Sequence, residues 1–438
     1  MRILEYTLGL PPFRRGGLPR YSTDLSEELA KNNDVYLMYP GQINPYSKKI
    51  KLTERNNKYP FKTIEMRNPL PVSLGLGIRD EKRYMEKRDI SALKGFIEKI
   101  KPKVVHFHTL MGMPKEFLIY LHNKKIKTVY TTHDFYGLCP KMLSKDPKDE
   151  LMCLKCSTDC MLCNLGPSYK EVLIMQSHLY ESIKENKLIK KLRKKNKTDI
   201  SNNTNITLNK EEVELRYKLR QYYLEMFNLI DVFHFNSTVS QKYFQKFLHQ
   251  IKGKVIPITH GRLSDDRLTR YYHYNHTVHL GYVGPYDKKK GFFVYTQILK
   301  DLEKKYNFKA DFYGDIVDRS IFRDTRFINH GIISSNKLKE EYKNMDVLVV
   351  PSLWHETFGY VVLEALLEGT PCLVSKNVGS KDLVPVEWQF ANLNELKEKL
   401  IGIIQSNVVQ RMRIETDKLN LPYKMDKHAK NIVKELYD

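Results

Sequence analysis

Short apolar runs alternate with amphipathic segments along most of the chain. Each run has the length and residue types of a buried strand of a parallel sheet, and a polar loop and a helical pattern follow it. The predicted strands span or end within residues 2–7, 35–39, 104–108, 127–132, 231–236, 279–284, 311–314 and 346–351. This repeat predicts an α/β fold with doubly wound parallel sheets. Because 438 residues are too many for one ordinary core, we expect two domains.

Residues 169–230 interrupt this repeat with a stretch that predicts long, polar helices. A polar loop at 201–207 divides the stretch into two arms, so we interpret it as a helical insertion in the first domain. Within it, residues 184–197 hold eight Lys or Arg and one Glu. A basic amphipathic helix of this kind binds an anionic membrane surface, and a solvated charged hairpin is the alternative.

The segment from 346 to 371 places two carboxylates, Glu356 and Glu364, eight positions apart. A buried strand leads into a loop that ends at Gly359, and a helix is predicted from 360 to 368. Eight helical steps span roughly 12 Å, which separates the sugar of a nucleotide-sugar from its ribose. The start of the helix presents free N–H groups to a phosphate between them. The alternative is a capped surface helix with two solvated glutamates.

This segment resembles the Glu-x7-Glu signature of the retaining glycosyltransferases of family 4, also described as glycosyl transferases group 1. The resemblance implies the GT-B fold, in which two Rossmann-like doubly wound domains face each other across a cleft. It implies an acceptor-side domain at 1–262, a nucleotide-sugar-binding domain at 263–420, and a C-terminal helix at 421–438 that returns to the first domain. By the same match, Glu356 lies by the donor sugar and Glu364 binds the ribose. Phe358 and Gly359 would lie along the sugar and the phosphate.

Other positions match the family outside this segment. Gly16 and Gly17 match a glycine pair that lets the first loop approach the donor phosphates and the acceptor. His133 and Asp134 match a segment whose histidine lies near the donor sugar. Residues 329–333, ending at Ile333, resemble the segment whose backbone meets the base. An ordinary turn at the glycines and a capping role for the histidine remain open.

The cation expected to hold the leaving diphosphate is Lys290, which precedes Gly291 as in the family. The family also carries an arginine earlier in this loop, and this chain has Pro285 at that position. Lys288, Lys289 and Arg262 are candidates to replace the missing arginine.

Four cysteines lie close together, with the spacing Cys153-x2-Cys156-x3-Cys160-x2-Cys163. Four thiolates at two Cys-x2-Cys pairs predict a tetrahedral zinc site of structural role. An iron–sulfur cluster and the absence of any metal remain open.

The formal net charge of +22 favours anionic partners. We find no nucleic-acid-binding module, so nucleotide phosphates and an anionic membrane surface are the expected partners. There is no signal-peptide pattern at residues 1–6 and no apolar run near the length of a membrane span, so we expect a cytoplasmic protein, peripheral on the inner face of the membrane.

The predicted function is a retaining glycosyltransferase that uses a UDP- or GDP-sugar without a catalytic metal. A glycan or lipid-linked acceptor in cell-surface polysaccharide or glycoconjugate synthesis is implied by the charge and the resemblance. The alternative is a non-catalytic, membrane-associated polysaccharide-assembly subunit with the same fold, which the missing arginine motivates. A phosphorylase of similar architecture needs a pyridoxal-binding lysine that the sequence does not reveal.

Overall fold

The computed structural model describes residues 1–12, 14, 16–56, 58–73, 78–138, 167–183, 186, 210–269, 277–316 and 319–438. The cysteine cluster at 153–163 and, apart from Asn186, the basic segment at 184–197 lie outside these ranges. The chain forms two compact units. Unit 1 comprises Met1–Phe235, Gln241–Ile256 and Met425–Asp438, and unit 2 comprises Asn236–Ser240 and Pro257–Lys424.

Unit 1 is built on an eight-stranded sheet. Its strands β1 to β8 are Arg2–Tyr6, Asp34–Pro40, Lys51–Arg55, Lys62–Arg67, Val104–Phe107, Lys127–Thr131, Val232–Phe235 and Gly253–Val255. Their order across the sheet is β3-β4-β2-β1-β5-β6-β7-β8. Strands β3 and β4 form an antiparallel hairpin that the sequence pattern did not reveal, and the other pairings are parallel.

The helices of unit 1 connect and cover these strands. They are Gly17–Leu29, Ser91–Ile100, Lys115–Asn123, Tyr169–Met175, His178–Ile183, Lys210–Asn228 and Met425–Ile432. Helix Thr238–Gln245 starts in unit 2 and ends in unit 1. Among the described residues, no helix combines the length and apolar character that crossing a membrane requires.

Helix Lys210–Asn228 differs from the polar arm that its composition predicts. Leu219, Tyr223, Met226 and Phe227 are buried in the core of unit 1. Their spacing of four, three and one places them on one face of the helix, so the polar residues occupy the remaining surface. The second arm of the predicted insertion is therefore a core helix of this unit.

Unit 2 is built on a six-stranded parallel sheet. Its strands β9 to β14 are Val278–Val283, Phe308–Tyr313, Phe327–Gly331, Val347–Val350, Cys372–Ser375 and Gln389–Phe390. Its helices are Phe292–Leu302, Ser335–Asn344, Tyr360–Leu367, Leu393–Gln405 and Val408–Lys418. The strand order is β11-β10-β9-β12-β13-β14, which is the 3-2-1-4-5-6 order of a dinucleotide-binding fold. The predicted α/β class with two doubly wound parallel sheets is confirmed.

Candidate active site

The strand order of unit 2 reverses between β9 and β12, which pair with each other at Val347 and Leu280. In open α/β sheets, ligands bind at the carboxyl ends of the strands at such a point. The loop after β9 carries Lys290, and the loop after β12 carries Glu356. Lys290 Nζ lies 2.7 Å from Glu356 Oε2. Two side chains that the sequence predicted separately thus form an ion pair where a ligand is expected.

These two loops are locked together by their backbones. Gly291 has a φ of 72°, and a Cβ at this position would lie 1.9 Å from the Pro351 carbonyl oxygen. The Leu353 N–H donates to the Lys289 carbonyl over 2.9 Å. Because only glycine tolerates both the backbone conformation and the close approach, Gly291 holds Lys290 beside the β12 loop.

On its other side, the β12 loop is bonded to the loop after β13. The Glu356 N–H donates to the Asn377 carbonyl, and the Gly379 N–H donates to the Glu356 carbonyl, each over 2.9 Å. Gly359 has a φ of 97°, and a Cβ there would lie 2.9 Å from Val378 Cγ1. Glu356 is thus held by backbone contacts on both sides, immediately before helix Tyr360–Leu367.

The Phe358 side chain lies in the packing beneath this loop. It is buried, and its ring meets the Tyr360 ring edge-on with a centroid distance of 5.3 Å. The Phe358 carbonyl accepts a hydrogen bond from the Ser380 N–H over 2.7 Å.

Glu364 lies inside helix Tyr360–Leu367 and has two neighbouring polar groups. The Tyr342 hydroxyl donates to Glu364 Oε2 over 3.3 Å. His260 Nε2 lies 3.6 Å from Glu364 Oε1, and this histidine is only 3% exposed. The Arg262 N–H donates to His260 Nδ1 over 3.3 Å, so in the neutral imidazole the proton is on Nε2, facing Glu364. The sequence analysis did not single out His260.

The candidates to replace the missing arginine have different surroundings. Lys289 Nζ lies 4.2 Å from the centroid of the Trp354 ring. Lys288 and Arg262 have exposed side chains. Pro285 lies at the start of the loop, where its carbonyl accepts from the Tyr282 hydroxyl over 2.7 Å. Lys290 is therefore the loop cation that the structure brings to Glu356.

The segment predicted to meet the base follows β11. Asn329 Oδ1 accepts from the Tyr286 hydroxyl over 2.7 Å and from the Gly331 N–H over 2.9 Å. These bonds connect the β9 loop with the end of β11. Ile333 lies in the next loop and is partly exposed, before helix Ser335–Asn344.

The remaining predicted residues lie in unit 1. Gly16, with a φ of 132°, is the cap of helix Gly17–Leu29, and both glycines are exposed. His133 follows β6, and its Nε2 lies 3.2 Å from His108 Nδ1. Burial, followed by repulsion from neighbouring histidines, lowers the pKa of His133 well below its usual value. Burial raises the pKa of the adjacent Asp134 to about 6.

A chain of buried hydrogen bonds crosses the centre of unit 1. His234 Nε2 donates to the Ile256 carbonyl over 2.8 Å, and burial lowers the pKa of this histidine to about 4. The neutral ring then accepts at Nδ1 from the Thr131 hydroxyl. Thr131 in turn accepts from His106 Nε2 over 2.7 Å, and His106 Nδ1 lies 2.6 Å from the Tyr437 hydroxyl, which also lies 3.3 Å from Glu5 Oε1. The Ile256 carbonyl therefore sets the direction of the hydrogen bonds from His234 to His106.

Glu5, His106 and His108 bring three potential metal-ligand atoms within 4.8 Å of one another. Both ring nitrogens of His106 are already engaged by Tyr437 and Thr131. Glu5 Oε2 accepts from the Ser26 hydroxyl. Hydrogen bonds occupy His106 and Glu5, while His108 Nε2 lies 3.7 Å from Glu5 Oε2, and we assign the cluster a structural role.

Comparison with known proteins identifies the protein family to which this chain is similar. The family model described as Glycosyltransferase Family 4 matches residues 15–155, and the model described as Glycosyl transferases group 1 matches residues 273–387, together more than half of the chain. An uncharacterized glycosyltransferase of Methanocaldococcus jannaschii is 30% identical over 114 residues. That match covers 24% of this chain and 29% of the relative, so the chain spans less than a third of the length of this curated relative.

Solved structures share the fold over nearly the whole chain. A sucrose-phosphate synthase from Thermosynechococcus elongatus is 15% identical with a TM-score of 0.53, and the match covers 100% of this chain and 95% of the other. An α,α-trehalose-phosphate synthase from Burkholderia xenovorans is 10% identical with a TM-score of 0.54, covering 100% of both chains. The catalytic domain of starch synthase IV from Arabidopsis thaliana is 13% identical with a TM-score of 0.53, covering 99% and 98%. The chain therefore belongs to the family 4 glycosyltransferases, which have the GT-B fold.

Proposed function

We propose that this glycosyltransferase moves a sugar from a UDP- or GDP-sugar to a glycan or lipid-linked acceptor, with retention of configuration at the transferred carbon. Synthesis of cell-surface polysaccharide or glycoconjugate is the proposed setting. The observation that carries the donor assignment is the Lys290–Glu356 pair at the point where the strand order of unit 2 reverses. Glu364, eight positions further on, supplies the second carboxylate that such a donor requires.

Each group has a separate proposed role. A diphosphate at this edge of the sheet would meet the Lys290 ammonium and the positive end of the dipole of helix Tyr360–Leu367. Both stabilise the negative charge that grows as the bond between sugar and phosphate breaks. Glu356 would orient the sugar hydroxyls, and Glu364 would accept hydrogen bonds from the ribose.

Retention follows if the acceptor hydroxyl attacks from the side on which the diphosphate departs. The departing phosphate is then the proposed base, and none of these steps requires a metal ion. His133 would hydrogen-bond the donor sugar, and its lowered pKa keeps the imidazole neutral at pH 7. A neutral ring can donate from one nitrogen and accept at the other.

Thermal unfolding in the presence of UDP-, GDP- and ADP-sugars tests the donor assignment. ADP is included because the starch synthase structure is described as bound to ADP and acarbose. A true donor raises the melting temperature by mass action, and Glu364→Ala should abolish most of the shift. Glu398→Ala is the matched control, because Glu398 is an exposed glutamate on another helix of unit 2. If no nucleotide-sugar shifts the wild type, the donor class is wrong; binding with no transfer to any acceptor would favour the non-catalytic subunit.

We also propose a structural zinc ion at Cys153, Cys156, Cys160 and Cys163, and peripheral binding to an anionic membrane through residues 184–197. Both are supported by residue spacing and charge alone, since these segments lie outside the described ranges. Metal analysis of the purified protein tests the first. Cosedimentation with anionic and neutral vesicles tests the second.

A further inference from the structure

Unit 1 contains a cavity of about 330 Å³ beside the loop that follows β1. The size lies at the lower end of the range of small-molecule sites. Its walls come from residues 8–11 and 14, the end of β2, the β3–β4 hairpin and His178, the first residue of helix His178–Ile183. The hairpin and this helix are features that neither the glycosyltransferase motifs nor the donor site in unit 2 explain.

One wall of the cavity is organised by a buried carboxylate behind it. Arg55 Nε donates to Glu65 Oε2 over 2.8 Å, and His178 Nε2 lies 2.6 Å from Glu65 Oε1. Burial alone raises the pKa of Glu65, but the hydrogen bonds from Arg55 and His178 outweigh it and leave the pKa lowered. Glu65 is therefore ionised, and it fixes the side chains of Arg55 and His178 in place at the cavity wall.

Glycine makes room for this arrangement on both sides. A Cβ at Gly41 would lie 2.2 Å from Glu65 Oε1. Gly9 has a φ of 139°, and a Cβ there would lie 2.3 Å from Arg14 Cγ. The side chain of Arg14 thus lies against the backbone of Gly9, and both residues line the cavity.

An aromatic wall completes the cavity. The Tyr59 ring stacks on Phe61 with a centroid distance of 5.0 Å, and its hydroxyl donates to the Pro11 carbonyl over 3.2 Å. Tyr59 is partly exposed, so the ring offers a flat apolar surface beside the polar donors.

Among the described residues that line the cavity, Arg14 and Arg55 are charged, His178 contributes an imidazole, and none is acidic. Outside the lining, Glu65 is bound by Arg55 and His178, and Glu27 and Asp24 interact electrostatically with Tyr59. The described lining therefore presents two guanidinium groups, and Glu65 compensates the charge of Arg55 from behind it.

We propose that this cavity binds the phosphate of a phosphorylated sugar acceptor, with the sugar ring against Tyr59. The guanidinium groups of Arg14 and Arg55 come from different elements, the loop after β1 and the end of β3, and guanidinium groups bind phosphate oxygens through paired N–H donors. The ligand's role as acceptor rests on the proposed function. The same phosphate chemistry occurs in a soluble sugar phosphate and in a lipid-linked sugar, and binding experiments distinguish the two.

Calorimetric titration tests this assignment with three probes: glucose 6-phosphate, glucose linked to a short-chain prenyl diphosphate, and glucose itself. At least one phosphorylated probe should bind the wild type, and glucose should not. Arg14→Gln should weaken that binding roughly tenfold or more. Arg79→Gln is the matched control, because Arg79 is an exposed arginine of unit 1 outside the cavity. Binding of only the prenyl-linked probe would identify the lipid-linked source.

Arg55→Gln alone would leave the Glu65 carboxylate buried without its guanidinium partner and could prevent folding, so a double variant is used instead. The pair Arg55→Gln and Glu65→Gln removes both charges together and should also weaken phosphate binding. The assignment is overturned if neither phosphorylated probe binds better than glucose, or if Arg14→Gln and Arg79→Gln behave alike. Nucleotide-sugar binding by the wild type is measured separately. If it is present while the phosphorylated probes do not bind, only this assignment fails. If the wild type binds no nucleotide-sugar, the proposed function fails.

Discussion

Lys290 Nζ and Glu356 Oε2 lie 2.7 Å apart and join the loops after β9 and β12. The side chains are 36% and 14% exposed, and a pair with this much exposure adds only about 0–1 kcal/mol to stability. Stability therefore does not account for the pair, whereas the proposed diphosphate at this edge of the sheet would use such a cation.

Lys290→Met tests this separation of function from stability. We expect kcat to fall roughly a hundredfold to a thousandfold, because a fixed positive charge near the leaving diphosphate is lost. The melting temperature should change little. Lys397→Met is the control, since Lys397 faces Asp301 in an ion pair on the same unit with both side chains 44% exposed. Wild-type turnover in Lys290→Met would contradict the assignment.

His260 should act on the nucleotide through Glu364. Glu364→Ala is expected to weaken nucleotide binding roughly tenfold or more, and His260→Asn roughly twofold to tenfold. Because His260 acts by orienting the carboxylate, the double variant should lose little more than Glu364→Ala alone. Dissociation constants from titration give this coupling, with the exposed His249→Asn as control. Fully additive losses would show that His260 acts independently.

Gly291 and Gly402 should respond to alanine in opposite directions. At Gly291 the left-handed backbone and the Pro351 carbonyl 1.9 Å from the new Cβ should lower the free energy of unfolding by about 3 kcal/mol or more. Gly402 is exposed in helix Leu393–Gln405, and a Cβ added there would meet no atom within 4 Å beyond its chain neighbours and the backbone of its own helix. Alanine at this position should therefore raise the free energy of unfolding by about 1 kcal/mol. Urea unfolding measures both, and equal effects would contradict the close approach of the two loops.

The stability of unit 1 should fall steeply below pH 6.5. Burial lowers the pKa of His106 and His133 well below 6.5, that of His234 to about 4, and that of His428 to about 3. Below pH 6.5 these histidines are protonated in the unfolded chain but remain neutral in the folded chain. The free energy of unfolding therefore decreases as the pH falls towards these pKa values, by up to about 1.4 kcal/mol per pH unit for each histidine. Asp134, with its pKa raised to about 6, acts in the opposite sense between pH 4 and 6.

Urea midpoints at pH 7.5 and pH 5 measure this dependence. His428→Gln should reduce the slope, whereas His122→Asn, at an exposed position of helix Lys115–Asn123, should not. A midpoint that does not change with pH would show that these histidines are protonated in the folded protein.

Much of unit 2 could be predicted because its features are local in sequence. The apolar run before Pro351 and the glycines at 291 and 359 predicted a strand, two loops and a helix start within a few residues of their positions. Lys290 and Glu356 were each predicted for the donor site, whereas their ion pair depends on the pairing of β9 with β12. His260 was missed because its relation to Glu364 depends on how residues 104 positions apart pack.

Local sequence patterns specify the periodicity of the strands, the α/β class and the glycosyltransferase motifs, since each is carried by residues close together in the chain. Which buried polar groups meet depends on the tertiary structure. Tyr437 reaches His106 across 331 positions, and His178 reaches Glu65 across 113. Apolar periodicity specifies which face of a strand or helix is buried, but the partner of a buried imidazole or carboxylate depends on strand order and packing, which local patterns do not encode.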